Sequence, residues 1–268
     1  MTDAPAASPV SLSREGRVGL LRFDRGDGVN ALDSALIEAL TDTLHALYRD
    51  DELSVLVISG GPRVFSAGYD LKEVRARLAA RADLTARRRA ARLGRDLSRA
   101  LTALEPLTIA AVEGWCIGGG VVIAAGCDLR VASREARFFL PEVERGMNMS
   151  WASVPRLTAL IGPARAKRFV ALAERLDAPT AETWGLVDRL VDPAEAEAAA
   201  LAWAAEAAAL PPIALRMCKM QVDAAAQGFD AALSAFDRDQ FVLASLSDDH
   251  EEAVTAFLDR RRPEFHGR

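Results

Sequence analysis

The sequence predicts an α/β fold with a helical C-terminal part, and three observations support this prediction. Two short apolar runs, 18–23 and 55–58, flank an amphipathic segment, and this order of strand, helix and strand is typical of parallel, buried strands. A stretch that is apolar on every side, 118–127, indicates a helix enclosed by other elements. A shift in composition near residue 195 indicates an α/β body followed by a helical remainder. We therefore expect an α/β core over 1–195 and a helical module over 196–268.

The first strand–helix–strand unit begins with Val18–Phe23, which the turn-forming segment 25–28 follows. Asp33 is placed to cap the next helix, because an aspartate side chain accepts hydrogen bonds from the first N–H groups of a helix. Apolar residues then recur at spacings of three and four, so that one helix face packs on a core. These residues are Leu36, Ile37, Leu40, Leu44, Leu47 and Tyr48. Val55–Ile58 is the second strand.

The later elements continue this alternation before the pattern becomes helical. A glycine-rich loop is predicted at 60–68 and a long helical stretch at 70–104. Three strands are predicted after them, at 107–112, 129–132 and 136–140. Beyond Ser150 the pattern is nearly all helical, with prolines at the helix starts and an Ala-rich helix over 194–210.

The composition is that of an ordinary globular protein. Half of the 268 residues are apolar, and the formal net charge of −5 offers no general attraction to nucleic acid or to an anionic membrane. The three cysteines form no C-x-x-C pair, so we expect neither a metal site nor a disulfide framework. Residues 1–10 lack a signal pattern, and the longest uncharged stretch, 114–127, is too short to span a bilayer. We expect a cytoplasmic protein with a short disordered tail.

One segment departs from this charge balance. Between Lys72 and Arg99 there are ten basic and three acidic side chains. Such a run is most often a solvated helix face balanced by acidic neighbours, and we favour that interpretation. A contact to a phosphate-bearing ligand is the alternative.

Two glycine-rich turns each follow a strand and open a helix. They are Phe65–Asp70, which contains Ala67 and Gly68, and Gly114–Gly120, which contains three consecutive glycines. A helix N-terminus leaves N–H groups unpaired and carries roughly half a positive charge, so it stabilises an anion there. If the two turns converge, they can direct two N–H groups at one oxygen, which is the geometry of an oxyanion hole.

Along most of its length the chain resembles the crotonase family, the enoyl-CoA hydratase and isomerase superfamily. Four stretches carry the resemblance: 29–32, 65–73, 113–120 and 256–265. The second and third stretches together are highly specific, and the other two are supportive. The resemblance implies a crotonase-like spiral of repeated ββα units that binds acyl-CoA, with the C-terminal helices joining homotrimers or hexamers. It also implies an enzyme of fatty acid metabolism with no separate cofactor, since coenzyme A is part of the substrate.

The resemblance also assigns the residues of the site. The two N–H donors of the oxyanion hole correspond to Tyr69 and Gly119. The family's hydratases use two glutamates, of which Glu142, after Pro141, matches the second. The first position is occupied by Val122, so the pair that activates water is incomplete.

A lone glutamate favours isomerisation over hydration. Glu142 can take a proton from C2 of an enoyl thioester and return one at C4, while the hole holds the enolate oxygen. We therefore favour Δ3-Δ2 enoyl-CoA isomerisation. An enoyl-CoA hydratase with a non-standard second group, or a non-catalytic acyl-CoA-binding protein, is the alternative.

Further contacts with substrate are expected around these residues. The candidates for binding the acyl group or CoA are Arg25, Ala67, Gly68, Asp70, Lys72, Val122 and Trp151. Arg25 and Lys72 are candidate phosphate contacts, and Trp151 lies with Asn148 and Ser150 after a loop that should line the acyl pocket. We expect Glu113 to be a structural hydrogen-bonding partner. If its segment is extended, Glu144 points the same way as Glu142.

The sequence argues against other classes of enzyme. The glycine turn at 114–120 cannot be read as G-x-G-x-x-G, because the third glycine would fall on Ile123. A short-chain dehydrogenase needs a lysine four residues after a tyrosine, but Tyr48 and Tyr69 have glutamates there. The G-x-S-x-G of a serine hydrolase is absent. The basic run 260–262 could reach the nucleotide of a neighbouring subunit or form a solvated helix end.

Overall fold

The structure is a computed structural model and describes residues 8–80, 83–226 and 239–266. The strands are β1 (Val10–Glu15), β2 (Val18–Phe23), β3 (Val55–Ser59), β4 (Val64–Ser66), β5 (Leu107–Val112), β6 (Trp115–Ile117), β7 (Leu129–Ser133), β8 (Arg137–Phe139), β9 (Leu176–Asp177) and β10 (Arg189–Val191). The helices are α1 (Ser34–Leu47), α2 (Leu71–Ala79), α3 (Leu84–Thr102), α4 (Gly119–Gly126), α5 (Val154–Ile161), α6 (Pro163–Ala166), α7 (Ala178–Trp184), α8 (Ala196–Ala208), α9 (Pro212–Ala226) and α10 (Asp248–Leu258). A 3₁₀ turn covers Val143–Arg145, a π turn covers Lys167–Ala171, and residues 239–244 are helical.

The strands form two sheets. The larger sheet has the order β1-β2-β3-β5-β7-β10, and every pairing in it except β1 with β2 is parallel. The smaller sheet has the order β4-β6-β8-β9, in which only β8 and β9 are antiparallel. Strands β3, β5 and β7 are each followed within a few residues by a strand of the smaller sheet. The mixed α/β architecture with parallel, buried strands is confirmed.

The larger sheet separates two hydrophobic cores, because alternate residues of a strand point to opposite faces. In β3, Val55 and Val57 belong to the core under α8, whereas Leu56 and Ile58 belong to the main core with α1, α3 and α4. The face of α8 is lined by Ala196, Ala200, Ala204 and Ala207. Such small side chains allow the helix to lie close to the sheet.

Several predicted elements are confirmed with their local causes. Asp33 caps α1 by accepting a hydrogen bond from Leu36 N at 2.8 Å. The predicted apolar face of α1 is buried except for Tyr48, which is exposed. The helix α4 is buried on all sides, as its sequence predicts.

Other elements differ from the prediction. The single helix expected over 70–104 is two helices, and Asp83 caps the second by accepting from Ala86 N at 2.7 Å. Strand β1 was not predicted, because exposed residues dominate it and only its pairing with β2 defines it.

The C-terminal helices divide into two groups. Helix α8 shares a core with the body of the protein, and Glu113 accepts a hydrogen bond from its first N–H, that of Ala196, at 2.9 Å. The structural role expected for Glu113 is therefore confirmed. Helix α9 instead leaves Ile213, Met217, Met220 and Val222 exposed. The assignment of 196–268 to oligomerisation stays a prediction.

The described residues contain no single helix that is long and apolar enough to cross a membrane. Helices α8 and α9 together have the length and apolar composition of a membrane span, but they are bent by 110° at the break between them.

Candidate active site

The two glycine-rich turns meet in the structure. Gly68 has φ +81°, and a Cβ on it would lie 2.8 Å from the carbonyl oxygen of Ile117. A Cβ on Gly118 would lie 3.7 Å from Gly68 Cα and 2.8 Å from Glu142 Oε1. Gly118 also has a positive φ, of +51°, so both positions favour glycine. They bring the two turns and Glu142 into contact.

Asn30 holds the first of these turns in place. Its side-chain amide donates to the carbonyl oxygens of Phe23 at 3.0 Å and of Phe65 at 2.8 Å. The hydroxyl of Ser66 donates to Asn30 O at 2.8 Å. These bonds are buried, so they fix the end of β4 against the loop after β2. This explains the position of the Val29–Leu32 motif.

Tyr69 and Gly119 begin the segments that leave the two turns. Leu32 N donates to Gly68 O at 2.8 Å and Asp70 N donates to Leu32 O at 3.0 Å, which holds the backbone around Tyr69 extended. Gly119 is the first residue of α4, where the N–H groups of a helix lack intrahelical partners. Both residues line one chamber, which we call the first chamber.

Glu142 brings a buried carboxylate into the first chamber. Its Oε2 is buried and has no hydrogen-bond partner among the described residues. Desolvation by burial raises the pKa of Glu142 to about 7, although the charge of Arg145 acts in the opposite direction. A carboxyl group with this pKa can both accept and donate a proton near neutral pH.

The segment after Glu142 is a 3₁₀ turn, not an extended strand. The expectation that Glu144 points the same way as Glu142 is therefore wrong, and Glu144 is exposed. Because side chains three residues apart eclipse in a 3₁₀ turn, Arg145 lies on the same side as Glu142 and lines the first chamber.

Val122 and Trp151 supply apolar wall to the first chamber. Val122 is buried in α4 and lines the chamber three residues after Gly119. The Trp151 indole covers Gly119, where a Cβ would lie 2.7 Å from Trp151 Cζ3. The backbone of Trp151 and Ala152 is left-handed, with φ +60° and +55°. A left-handed backbone costs a residue other than glycine roughly 1 to 2 kcal/mol, so this turn is strained at both positions.

A second chamber adjoins the first and shares Tyr69, Met147, Trp151 and Phe241 with it. The lining of the second chamber is mostly apolar and includes Val74, Ala90 and Ala91 from α2 and α3. Its polar residues are Arg87, Ser245 and His250.

The other predicted substrate contacts fall into two groups. Ala67 and Gly68 line the first chamber. Arg25 and Asp70 line neither chamber and pair with each other, with Arg25 Nη1 3.0 Å from Asp70 Oδ2. Hydrogen bonding to Arg25 contributes to a lowered pKa of Asp70, although burial opposes it. Lys72 is exposed, and its N–H donates to Asp70 Oδ1 at 2.9 Å.

Arg25 is held by more than one carboxylate. Its guanidinium also lies 3.4 Å from Asp27 and 3.4 Å from Asp33, and it donates to Ala31 O at 3.2 Å. The arginine therefore ties the loop after β2 to the start of α2, and with it the backbone on either side of Tyr69.

The basic run on α2 and α3 is partly balanced by acidic side chains. Arg75, Arg88 and Arg92 lie within 3.6 Å of Asp259, Asp239 and Asp96, respectively. Near the C-terminus, Arg261 pairs with Glu252. These pairs agree with the solvated, balanced face that we favoured.

Sequence reasoning missed several residues of the two chambers. Arg145, Met147, Phe241 and His250 all line them. Arg145 stands three residues after Glu142, so the sequence places it beside Glu142 only if a 3₁₀ turn is assumed there. Of the loop residues named with Trp151, Ser150 lines the first chamber and Asn148 lines neither.

Comparisons with known proteins agree with the fold and the motifs. The sequence model of a family described as enoyl-CoA hydratase/isomerase matches residues 13–268. A short-chain-enoyl-CoA hydratase of Clostridium acetobutylicum is 32% identical, over 95% of this chain and 96% of that protein. A 2,3-dehydroadipyl-CoA hydratase of Escherichia coli is 34% identical, over 97% of this chain and 100% of that protein. The crystal structure of an enoyl-CoA hydratase from Mycobacterium avium subsp. paratuberculosis superposes with a TM-score of 0.85 at 28% identity, covering 97% and 99% of the two chains.

Proposed function

This chain belongs to the enoyl-CoA hydratase/isomerase family, and we propose that it moves the double bond of an enoyl-CoA thioester from Δ3 to Δ2. The crotonase-like fold and the enzyme class follow from the family. The choice of reaction rests on one observation: Glu142 is the one carboxylate among the described residues that line the two chambers, and Val122 stands where the family's hydratases have another.

The N–H groups of Tyr69 and Gly119 are the donors that we propose for the thioester oxygen. Their proposed role rests on the meeting of the two turns and on the position of Gly119 at a helix N-terminus. As C2 loses its proton, negative charge develops on the thioester oxygen, and each donor stabilises that transition state by roughly 3 to 4 kcal/mol. Ala67 and Gly68 would contact the same part of the substrate.

Glu142 would act as base and then as acid. Its carboxylate takes the proton from C2, and the electron pair of that C–H bond forms the dienolate whose oxygen the two N–H groups hold. The protonated Glu142 then returns the proton to C4, which leaves the double bond between C2 and C3. A pKa of about 7 suits both steps, because the group is neither a weak base nor a weak acid near neutral pH.

Hydration of a 2-enoyl-CoA is the second candidate reaction, and the names of the relatives favour it. Hydration requires a group that activates water at C3. Val122 cannot do so, and Trp151 adds apolar surface beside it. We therefore rank hydration below isomerisation.

The remaining contacts and the assembly are further parts of the proposal. We propose that Lys72 contacts a phosphate of CoA and that Arg25 and Asp70 act indirectly, by holding the loop of Tyr69. Trimers or hexamers joined by the C-terminal helices, and a cytoplasmic location, stay predictions of the resemblance and the sequence pattern.

Glu142→Gln tests the role of the carboxylate, with purified protein assayed on a 3-enoyl-CoA and a 2-enoyl-CoA. We expect isomerisation to fall by about 10²- to 10⁴-fold, while the affinity for a saturated acyl-CoA changes little. An unchanged rate of isomerisation would falsify the assignment. Hydration that exceeds isomerisation in the unmodified protein would favour the second candidate.

Val122→Glu tests the missing carboxylate, and Val122→Gln is its matched control. We expect only the glutamate variant to gain hydratase activity, because glutamine has similar size but cannot act as a base. Equal activity of the two variants on a 2-enoyl-CoA would contradict the assignment of position 122.

A further inference from the structure

Arg145 is a half-buried positive charge beside the proposed catalytic group. It lines the first chamber, and its Nε is buried without a hydrogen-bond partner among the described residues. Burial is the main cause that lowers the pKa of Arg145. A guanidinium nevertheless stays protonated in proteins. A guanidinium nitrogen that is buried without an acceptor is costly, and such groups need a specific explanation.

The surroundings of Arg145 do not neutralise it. From its own turn, the carboxylates of Glu142 and Glu144 act on its charge, but Glu144 is exposed, and Glu142 Oε2, like Arg145 Nε, has no hydrogen-bond partner among the described residues. From α10, the ring of Phe257 lies under the guanidinium, 4.4 Å from its Cζ. That contact attracts a cation but supplies no hydrogen-bond acceptor in the plane of the guanidinium.

His250, also from α10, adds no negative charge. Its Nδ1 lies 2.9 Å from Arg145 O, so this nitrogen carries a hydrogen and donates to the carbonyl. Burial lowers the pKa of His250, which keeps its imidazole neutral near pH 7. Arg87 lines the adjoining second chamber, where its Nη1 donates to Ser245 O at 3.4 Å. The described lining of the two chambers therefore holds two guanidinium groups and one carboxylate.

An acyl group with a second carboxylate would match this lining. A carboxylate accepts two parallel hydrogen bonds from a guanidinium, and such charge-assisted bonds are among the strongest in proteins. A methyl-terminated acyl chain would pack against the apolar walls but would offer Arg145 no hydrogen-bond acceptor.

We propose that this enzyme takes CoA thioesters of dicarboxylic acids and that Arg145 binds the carboxylate at the far end of the acyl group. This inference rests on the proposed function in one respect: the chambers are taken to hold the acyl part of an acyl-CoA.

Binding of saturated thioesters tests the proposal without any reaction. Glutaryl-CoA and pentanoyl-CoA have five acyl carbons each, and adipyl-CoA and hexanoyl-CoA have six, so each pair differs only in a carboxylate that replaces a methyl group. The dissociation constants of the four thioesters would be measured by calorimetry with the unmodified protein. We expect at least one diacid thioester to bind about tenfold or more tightly than its methyl-terminated match.

Arg145→Met then identifies the partner of the carboxylate, with Arg145→Lys as the conservative variant. We expect Arg145→Met to abolish the tenfold preference and to leave the affinity for hexanoyl-CoA within about twofold, whereas Arg145→Lys keeps part of the preference. Arg89→Met on the exposed face of α3 removes the same charge outside the chambers and should change neither value. Circular dichroism of each variant verifies that it is folded.

The outcomes separate this inference from the proposed function. If none of the four thioesters binds, acyl-CoA binding itself fails. If all four bind and no diacid is preferred, the inference fails and the proposed function stands. If Arg145→Met weakens methyl-terminated and diacid thioesters equally, Arg145 serves the CoA part or the fold, and the inference is overturned.

Discussion

Gly94 in α3 provides the niche in which the Trp151 indole lies. A Cβ at position 94 would overlap ring atoms of Trp151, among them Cε2 and Nε1. The same ring covers Gly119 and lies edge-on to Tyr69, with ring centroids 6.1 Å apart. Gly94→Ala should therefore displace the Trp151 indole, which forms the wall beside the two proposed oxyanion donors.

Two opposing effects determine how much Gly94→Ala changes the free energy of unfolding. Alanine in place of glycine inside a helix stabilises by about 1 kcal/mol when nothing else changes. Overpacking a rigid ring against a helix costs about 1 to 3 kcal/mol. We expect Gly94→Ala to lower the free energy of unfolding by up to about 2 kcal/mol.

A double-mutant cycle with Trp151→Ala isolates the contact. In the Trp151→Ala background the niche is empty, so Gly94→Ala should now raise the free energy of unfolding by about 1 kcal/mol. Urea denaturation of the four proteins gives the coupling energy, and steady-state kinetics shows whether kcat falls in Gly94→Ala. A Gly94→Ala variant that is more stable than the unmodified protein in both backgrounds would refute this account of the niche.

Two further predictions concern buried charges. The pKa of Glu142 is raised to about 7 in the folded protein from 4.5, so the folded state holds the proton more tightly, and the stability from this group falls as pH rises from 4.5 to 7. Denaturation at pH 5 and pH 8 should show a fall of about 1 to 3 kcal/mol that Glu142→Gln lacks, and equal pH dependence of the two proteins would contradict the raised pKa. Lys219 in α9 is buried, with Nζ 2.8 Å from Asp128 Oδ2 and 2.9 Å from Pro106 O. Asp128 Oδ2 also accepts from Thr108 N at 2.7 Å and from Thr108 Oγ1 at 2.9 Å. Lys219→Met leaves a partly buried carboxylate without its cation and should destabilise by about 3 to 5 kcal/mol in urea denaturation, whereas a loss below about 1 kcal/mol would show that Asp128 is satisfied by Thr108 alone.

Local chemistry made much of the fold predictable. The cap at Asp33, the apolar stripe of α1 and the all-round burial of α4 depend on spacings of three and four residues, which any helix imposes. In the smaller sheet, β8 was predicted at 136–140, but β4 and β6 were harder to predict, because they have three residues each and owe their existence to pairing across the chain.

The candidate site divides in the same way. Two glycine turns, a proline-linked Glu142 and an apolar Val122 are recognisable in the sequence at the spacings of one family, because these features are local in the chain. The folded chain was needed to see that the turns touch at Gly68 and Gly118, that Glu144 faces outward and that Arg145 faces the chamber. The hand and pitch of one turn after Glu142 determine which side chain enters the cavity, and that geometry depends on contacts with α10, which is more than a hundred residues away in the chain.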